Sequence, residues 1–345
     1  MNNYFQKIKK LTQDFFKDPF FLKHWEMPYY SRRGQNDNQL SVRAVYSSGK
    51  LYHYNGIGNN FVQHMYTRIM PFAHMSGQRE KYPAKVEPVS PQKEALIASG
   101  LSSRSYRTSL ADALYDFVSK TSHSLFMYGV VLFELVYEKD TDGNITSFHL
   151  VHLDEKYIFR FFRSYYQVIP WWIAAKSHVR VQIIKIPADK ILRIDFPKKL
   201  GGRRKLQKTL KRLWQLSKEV IPEFYMEAIK QNKNISFNFE EYDKGKYLEN
   251  ARVTARFGWN QSQTSVNYIT EYYWFLRYLR ASRAQAIVRG EIMARLNDFL
   301  NGTVLNLGTR VSIENLPTVE SINEQEKLMK RGDMKFIDIH NAVEI

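Results

Sequence analysis

The run from Ile186 to Lys230 constrains the fold most, because it joins a strand pattern to a helix pattern through a glycine turn. IPADKILRIDF alternates apolar and polar residues as far as Asp195, which predicts a short strand. Pro197 ends it, and Gly201-Gly202 turns the chain without a Cβ penalty. Leu206, Leu210, Leu213, Trp214 and Leu216 then recur at helical spacing. No acidic residue lies between Asp195 and Glu219, while Lys198, Lys199, Arg203, Arg204, Lys205, Lys208, Lys211, Arg212 and Lys218 do. Such a strand, cationic turn and helix suit a polyanion; any one of these lysines alone would simply be solvated.

Composition narrows the setting. The chain of 345 residues carries a formal charge of +17, a balance that favours nucleic acid or an anionic membrane as a neighbour. Its 22 Tyr, 22 Phe and 6 Trp are too many for a disordered chain. The most apolar run, Phe126 to Tyr137, is too short to span a membrane and contains Glu134. Phe5 to Phe21 mixes Lys and Asp among its aromatics, unlike a signal peptide. The absence of Cys excludes disulfides, Cys-ligated zinc and Cys nucleophiles, and fits a reducing cytoplasm.

Read in order, residues 1–40 are expected to be an amphipathic helical arm, with Phe5, Ile8, Leu11 and Phe15 on one face, followed by a polar loop from Ser31 to Asn38. Residues 41–90 are irregular; YNGIGNN lacks the third glycine of a dinucleotide site, and Gln78 to Pro91 reads as a linker. Ser90 and Pro91 start a short helix with Gly100 beyond its end, and Ser109 starts another that Gly129 closes. VVLFELVYE, TDGN and ITSFHLVHL read as a β-hairpin. Further strands are expected at Tyr157 to Phe162, Val179 to Ile184 and Lys190 to Asp195. Asn232 to Trp259 reads as a small β-unit, and Ser262 to Leu300 as the longest helix, closed by Asn301-Gly302. On that helix Tyr268, Phe275, Tyr278, Leu279, Met293, Leu296 and Leu300 share one side, with Arg277, Arg280, Arg283 and Arg295 opposite. Arg289 falls on the apolar side and needs a partner or a path to solvent. A last short helix spans Thr318 to Arg331, with Gly332 after it.

No catalytic constellation emerges. His149 and His152 in HLVH are three apart, so a strand sends their rings to opposite faces and cannot make them a metal pair. Tyr272-Tyr273 resembles the paired nucleophile of nicking enzymes, without the metal site such chemistry needs. Walker-type, nucleophile-elbow and zinc-protease motifs are absent. Glu134 in its apolar strand is expected to pair with a cation or face water. The expectation is therefore a non-enzymatic protein with no cofactor and no metal.

DALYDFVSKTSHSLFMYGVVLFELVYEKDTDGNITSFHLVHLDEKYIFRF (Asp112 to Phe161), IPADKILRIDF and the glycine turn and helix to Ala228 are arranged in an order that resembles bacteriophage portal proteins, most closely the Mu-like branch. The likeness covers about a third of the chain, which is shorter and more basic than such proteins. It implies an α+β fold: a mixed-sheet, wing-like domain, long stem or channel helices and a small β insert. The boundaries would be an N-terminal arm at 1–40, the wing at 41–200, a first stem helix at 201–231, a clip-like insert at 232–261, a second stem helix at 262–301 and a tail at 302–345. It further implies a homo-oligomeric ring, usually dodecameric, in the virion and in the host cytoplasm during assembly. Its partners would be the major capsid protein, the terminase motor, head-completion or tail proteins and double-stranded DNA, with no membrane. The alternative is a monomeric or dimeric nucleic-acid-binding or replication protein, including a nicking enzyme. The candidate DNA-facing residues are Lys198, Lys199, Arg203, Arg204, Lys205, Lys208, Lys211 and Arg212, then Arg277, Arg280 and Arg283 of the long helix.

Overall fold

A computed structural model describes residues 29–34, 37–44, 57–70, 78–102, 109–153, 158–162, 164–168, 183–218, 239–261 and 269–343. The fold is mixed α+β with small sheets, and the chain divides into two compact units.

The first unit comprises Met1–Tyr52, Val131–Arg193 and Asn301–Asn306. Its hairpin of β4 (Val130–Lys139) and β5 (Ile145–Leu153) follows the sequence pattern closely, pairing antiparallel from Leu132 opposite Leu153 outward. Asp140 builds the turn: its carboxylate accepts from the backbone N–H of Asp142 at 3.0 Å and of Asn144 at 2.7 Å, while Gly143 takes φ +85°. β9 (Ile191–Asp195) joins the sheet beside β4. A second sheet has the order β6 (Ile158–Phe161), β7 (Ser164–Val168), β8 (Ile183–Pro187). β7 is an addition to the expected strands, and β8 shares only Ile183 and Ile184 with the strand expected at Val179 to Ile184, whose first four residues lie outside the described ones. Leu132, Leu153, Ile158, Tyr165, Ile186 and Ile191 make this unit's apolar core. Glu134 is 3% exposed and so does not face water. The loop expected from Ser31 to Asn38 is instead part of a hairpin of β1 (Tyr29–Gly34) and β2 (Asp37–Ala44), whose LSVRA run alternates as a strand does. The arm residues Phe5, Ile8, Leu11 and Phe15 lie outside the described residues.

The second unit comprises His53–Val130, Ile194–Leu300 and Leu307–Ile345. Its helices are α1 (Ile57–Thr67), the short α2 (Gln78–Lys81), α3 (Pro91–Leu101), α4 (Leu110–Tyr128), α5 (Gly202–Lys218), α6 (Phe239–Val253), α7 (Glu271–Leu300), α8 (Val319–Arg331) and α9 (Phe336–Val343). Capping residues set several ends where the sequence put them. Ser90 and Ser109 accept from the backbone N–H of Lys93 and Asp112, and Gly129 closes α4 in the left-handed region at φ 76°. Thr318 and Ser321 form a capping box and Gly332 ends α8. Gly100 lies inside α3 and not beyond it.

Three expectations are corrected in this unit. The supposed linker at Gln78 to Pro91 holds α2 and β3 (Ala84–Glu87), which pairs antiparallel with β10 (Arg310–Ile313), more than 200 residues away in sequence. Residues 57–67, read as irregular, are a helix that buries Phe61, Val62 and Met65 completely. The supposed β-unit at Asn232 to Trp259 contains α6, with Tyr247, Asn250, Ala251 and Thr254 buried at i, i+3, i+4 and i+7. Two of those four are polar, so the buried stripe does not read as apolar periodicity.

α7 has 30 residues, which makes it roughly 45 Å long. Residues 262–268, and with them Tyr268, lie outside the described residues. Phe275, Tyr278, Leu279, Leu296 and Leu300 are buried as expected, but so are Ala281, Ala284, Ala286, Val288 and Ile292, so the middle of the helix is covered on most sides.

Candidate nucleic-acid interface

The cationic turn is built by hydrogen bonds that need no side chain. Leu200 N–H donates to Pro197 O at 3.0 Å, Gly201 N–H to Lys198 O at 2.8 Å and Gly202 N–H to Pro197 O at 3.1 Å. Gly201 and Gly202 take φ +90° and +65°, the left-handed region that a β-carbon disfavours. Phe196 N–H donates to Gly129 O at 3.0 Å, tying the approach to the turn to the end of α4. A β-carbon on Gly129 would stand 2.6 Å from Arg203 Cγ, so the stem of Arg203 lies against bare backbone.

α5 continues from the turn with its leucines inward: Leu206, Leu210, Leu213 and Leu216 are at most 3% exposed. They face α1, α4 and α6. Lys198, Lys199, Arg204, Lys205, Lys208 and Lys211 are exposed, Arg203 and Arg212 half-buried. At 100° per residue Arg204, Lys208 and Lys211 fall within roughly 60° of one another, opposite the leucines. Among the described residues no acidic side chain pairs with any of the six exposed cations. Arg212 does have one: its guanidinium lies 3.5 Å from Glu249 of α6, which also holds Arg252 at 2.9 Å.

The arrangement is electrostatically unfavourable as it stands. Arg203, Arg204 and Lys205 occupy the first turn of α5, the positive end of its dipole, where a cation costs about 0.3–1 kcal/mol. Arg204 and Lys208 are like charges at i,i+4, a further cost of about 0.2–0.5 kcal/mol. A bound polyanion offsets both costs, because it attracts the cations and the helix N-terminus alike.

The arginines of the long helix do not join this face as a group. Arg277 is 0% exposed, which removes it from the DNA-facing set. Its guanidinium donates to Asn260 Oδ1 at 3.1 Å, to Ala251 O at 2.9 Å, to Thr254 Oγ1 at 3.2 Å and to the carbonyl of Trp259. It is the polar partner that turns the buried face of α6 inward. Burial lowers its pKa, and the nearby Tyr247 and Tyr273 act against that shift. Arg283 is engaged by Glu326 and Asn323, each at 3.3 Å. Arg280 is half-buried, its Cβ close against Gly258. Arg289 is 7% exposed and finds its partners in the carbonyls of Ile69, at 2.9 Å, and Pro317. Burial pushes its pKa down to about 10.

One cation near the turn escaped the sequence reading. Arg256 is exposed, and its Nη1 lies 2.8 Å from where a β-carbon of Gly201 would stand. It follows α6 in a stretch that reads as strand and belongs to no basic run, so charge clustering gives no signal for it. The remaining candidates belong to other elements. His149 and His152 lie on β5 opposite Val136 and Phe133, and burial pushes His152 down to about 4. Tyr272 and Tyr273 are 41% and 37% exposed at the start of α7. Among the described residues no three His, Cys, Asp or Glu side chains gather as a metal site, and no helix is long and apolar enough to cross a membrane.

No known protein family matches the chain, and no curated protein is significantly similar to it.

Proposed function

We propose that this chain is a portal-type structural protein, a homo-oligomeric ring at one vertex of a bacteriophage capsid that conducts double-stranded DNA during packaging and ejection. The observation that carries the nucleic-acid part is the set of six exposed cations on the turn and α5 with no acidic partner among the described residues. Sliding DNA requires contacts to phosphate that ignore sequence, and lysines on flexible stems supply them weakly and reversibly. The portal part rests on the order of elements: α4, Gly129, the β4–β5 hairpin, then after β6–β8 the strand β9, the glycine turn and α5, an order like that of the resemblance drawn from the sequence. The major capsid protein, the terminase motor and head-completion or tail proteins are the partners this reading requires, with the virion as its location and no catalytic role.

A second reading, a monomeric or dimeric nucleic-acid-binding or replication protein, is favoured by α6, a helix where a small β clip is expected. Negative-stain microscopy of the purified chain separates the two. Rings support the portal reading. A uniform small particle at all concentrations, even with capsid proteins present, rejects it, and metal-dependent cleavage of DNA would then identify a nicking enzyme.

A further inference from the structure

We propose that Arg256 is a phosphate-contacting residue of the same interface, paired with Lys205 over Gly201. The inference rests on the nucleic-acid reading above and extends it to a second segment of the chain.

Three observations converge on Arg256. The first is its place: the bare α-carbon of Gly201 leaves room for Arg256 Nη1 at 2.8 Å from the missing β-carbon, with Lys205 Cβ and Cγ also at 2.8 Å. The guanidinium of Arg256 and the stem of Lys205 therefore meet over the same glycine. The second is how firmly it is held. Phe257, 1% exposed, packs its ring against Phe61 at 5.3 Å and Phe196 at 6.2 Å. Gly258 adopts φ +64° with its missing β-carbon only 2.1 Å from Arg277 O, a spot no other residue fits. Arg256 thus projects from backbone fixed on its C-terminal side. The third is charge. Glu249 serves Arg212 and Arg252, whereas Arg256 has no acidic partner among the described residues.

A guanidinium offers a planar fork of donors that matches phosphate oxygens, and the neighbouring ammonium adds a point charge. Two such groups on separate segments suit a phosphodiester backbone running past the turn, a contact that carries no sequence information.

The test is the salt dependence of binding between the full chain and a mixed-sequence DNA duplex. Arg256→Gln should lower the slope of log K against log salt by about 0.9, with Arg256→Lys keeping the wild-type slope. Arg331→Gln, an exposed arginine on α8, should leave the slope unchanged and controls for net charge. Equal thermal midpoints verify that the variants are folded. A steep wild-type slope that Arg256→Gln does not alter overturns the assignment of Arg256 and leaves α5 standing. Loss of slope in Arg256→Lys as well as Arg256→Gln also overturns it, because packing rather than charge would then be responsible. Binding without salt dependence in the wild type removes the underlying reading and this inference with it.

Discussion

Phe196 and Phe257 meet ring to ring at 6.2 Å and 60°, both almost fully buried, and each is close in sequence to a cationic residue of the candidate interface. Phe196 precedes the turn that carries Lys198 and Lys199, and Phe257 follows Arg256. An apolar contact inside the second unit therefore sets the spacing of charges at its surface. Edge-to-face aromatic pairs contribute about 0.5–1.5 kcal/mol beyond their buried area. Phe257→Leu should lower stability and also reduce the contribution of Arg256 to DNA binding. Urea unfolding and the Arg256→Gln slope difference, measured in the Phe257→Leu background, test both effects.

Arg204→Ser, Lys208→Ser and Lys211→Ser together should lower the salt slope of DNA binding by up to about 2.7 units. The same change should leave the thermal midpoint unchanged or slightly raised, since it removes like-charge repulsion and a cation from the positive end of the helix dipole. If the triple variant instead fails to assemble and keeps its salt slope, the face binds acidic residues of a neighbouring subunit.

Gly201→Ala should be costlier than Gly143→Ala. Both glycines have a positive φ, near +90° and +85°, which by itself costs an L-residue about 1–2 kcal/mol. Only Gly201 adds a clash, with Arg256 and Lys205 at 2.8 Å, whereas nothing lies within 4 Å of Gly143. Urea midpoints measure the difference. Equal losses would mean that Arg256 and Lys205 move aside freely.

Arg277→Met should destabilise the fold by about 1–3 kcal/mol for each buried acceptor it leaves without a donor. It leaves the carbonyls of Ala251 and Trp259 without their donor. The salt slope of DNA binding by the folded fraction should not change, because Arg277 is fully buried. A lower slope would return Arg277 to the interface.

Acid should weaken the fold before carboxylates titrate. Burial lowers the pKa of His64, with help from Arg68, and of His152, each from 6.5 to about 4. The unfolded chain binds these protons first, so stability is lost as pH falls from about 6.5 towards 4, by at most about 1.4 kcal/mol per pH unit per group. Unfolding midpoints across that range check this, and replacing both residues by Gln should flatten the dependence.

The sequence by itself determined where several elements start and stop. Ser90, Ser109, Gly129, the Asp140–Asn144 turn, Gly201-Gly202, Thr318 and Gly332 all act through backbone groups within about four residues, so their signals are complete in the local chain. It also determined the two-sided character of α5, because leucines and cations alternate there at helical spacing. Only the tertiary structure decided the rest. β3 became a strand because β10 reaches it from across the chain. α6 buries Asn250 and Thr254 in the region where Arg277 is accommodated, and the same contacts took Arg277 off the surface. Arg256 reached Gly201 through an aromatic core assembled from Phe61, Phe196 and Phe257. Each of these outcomes depends on a partner far away in sequence, and a buried polar contact leaves no periodicity by which one strand of text could announce it.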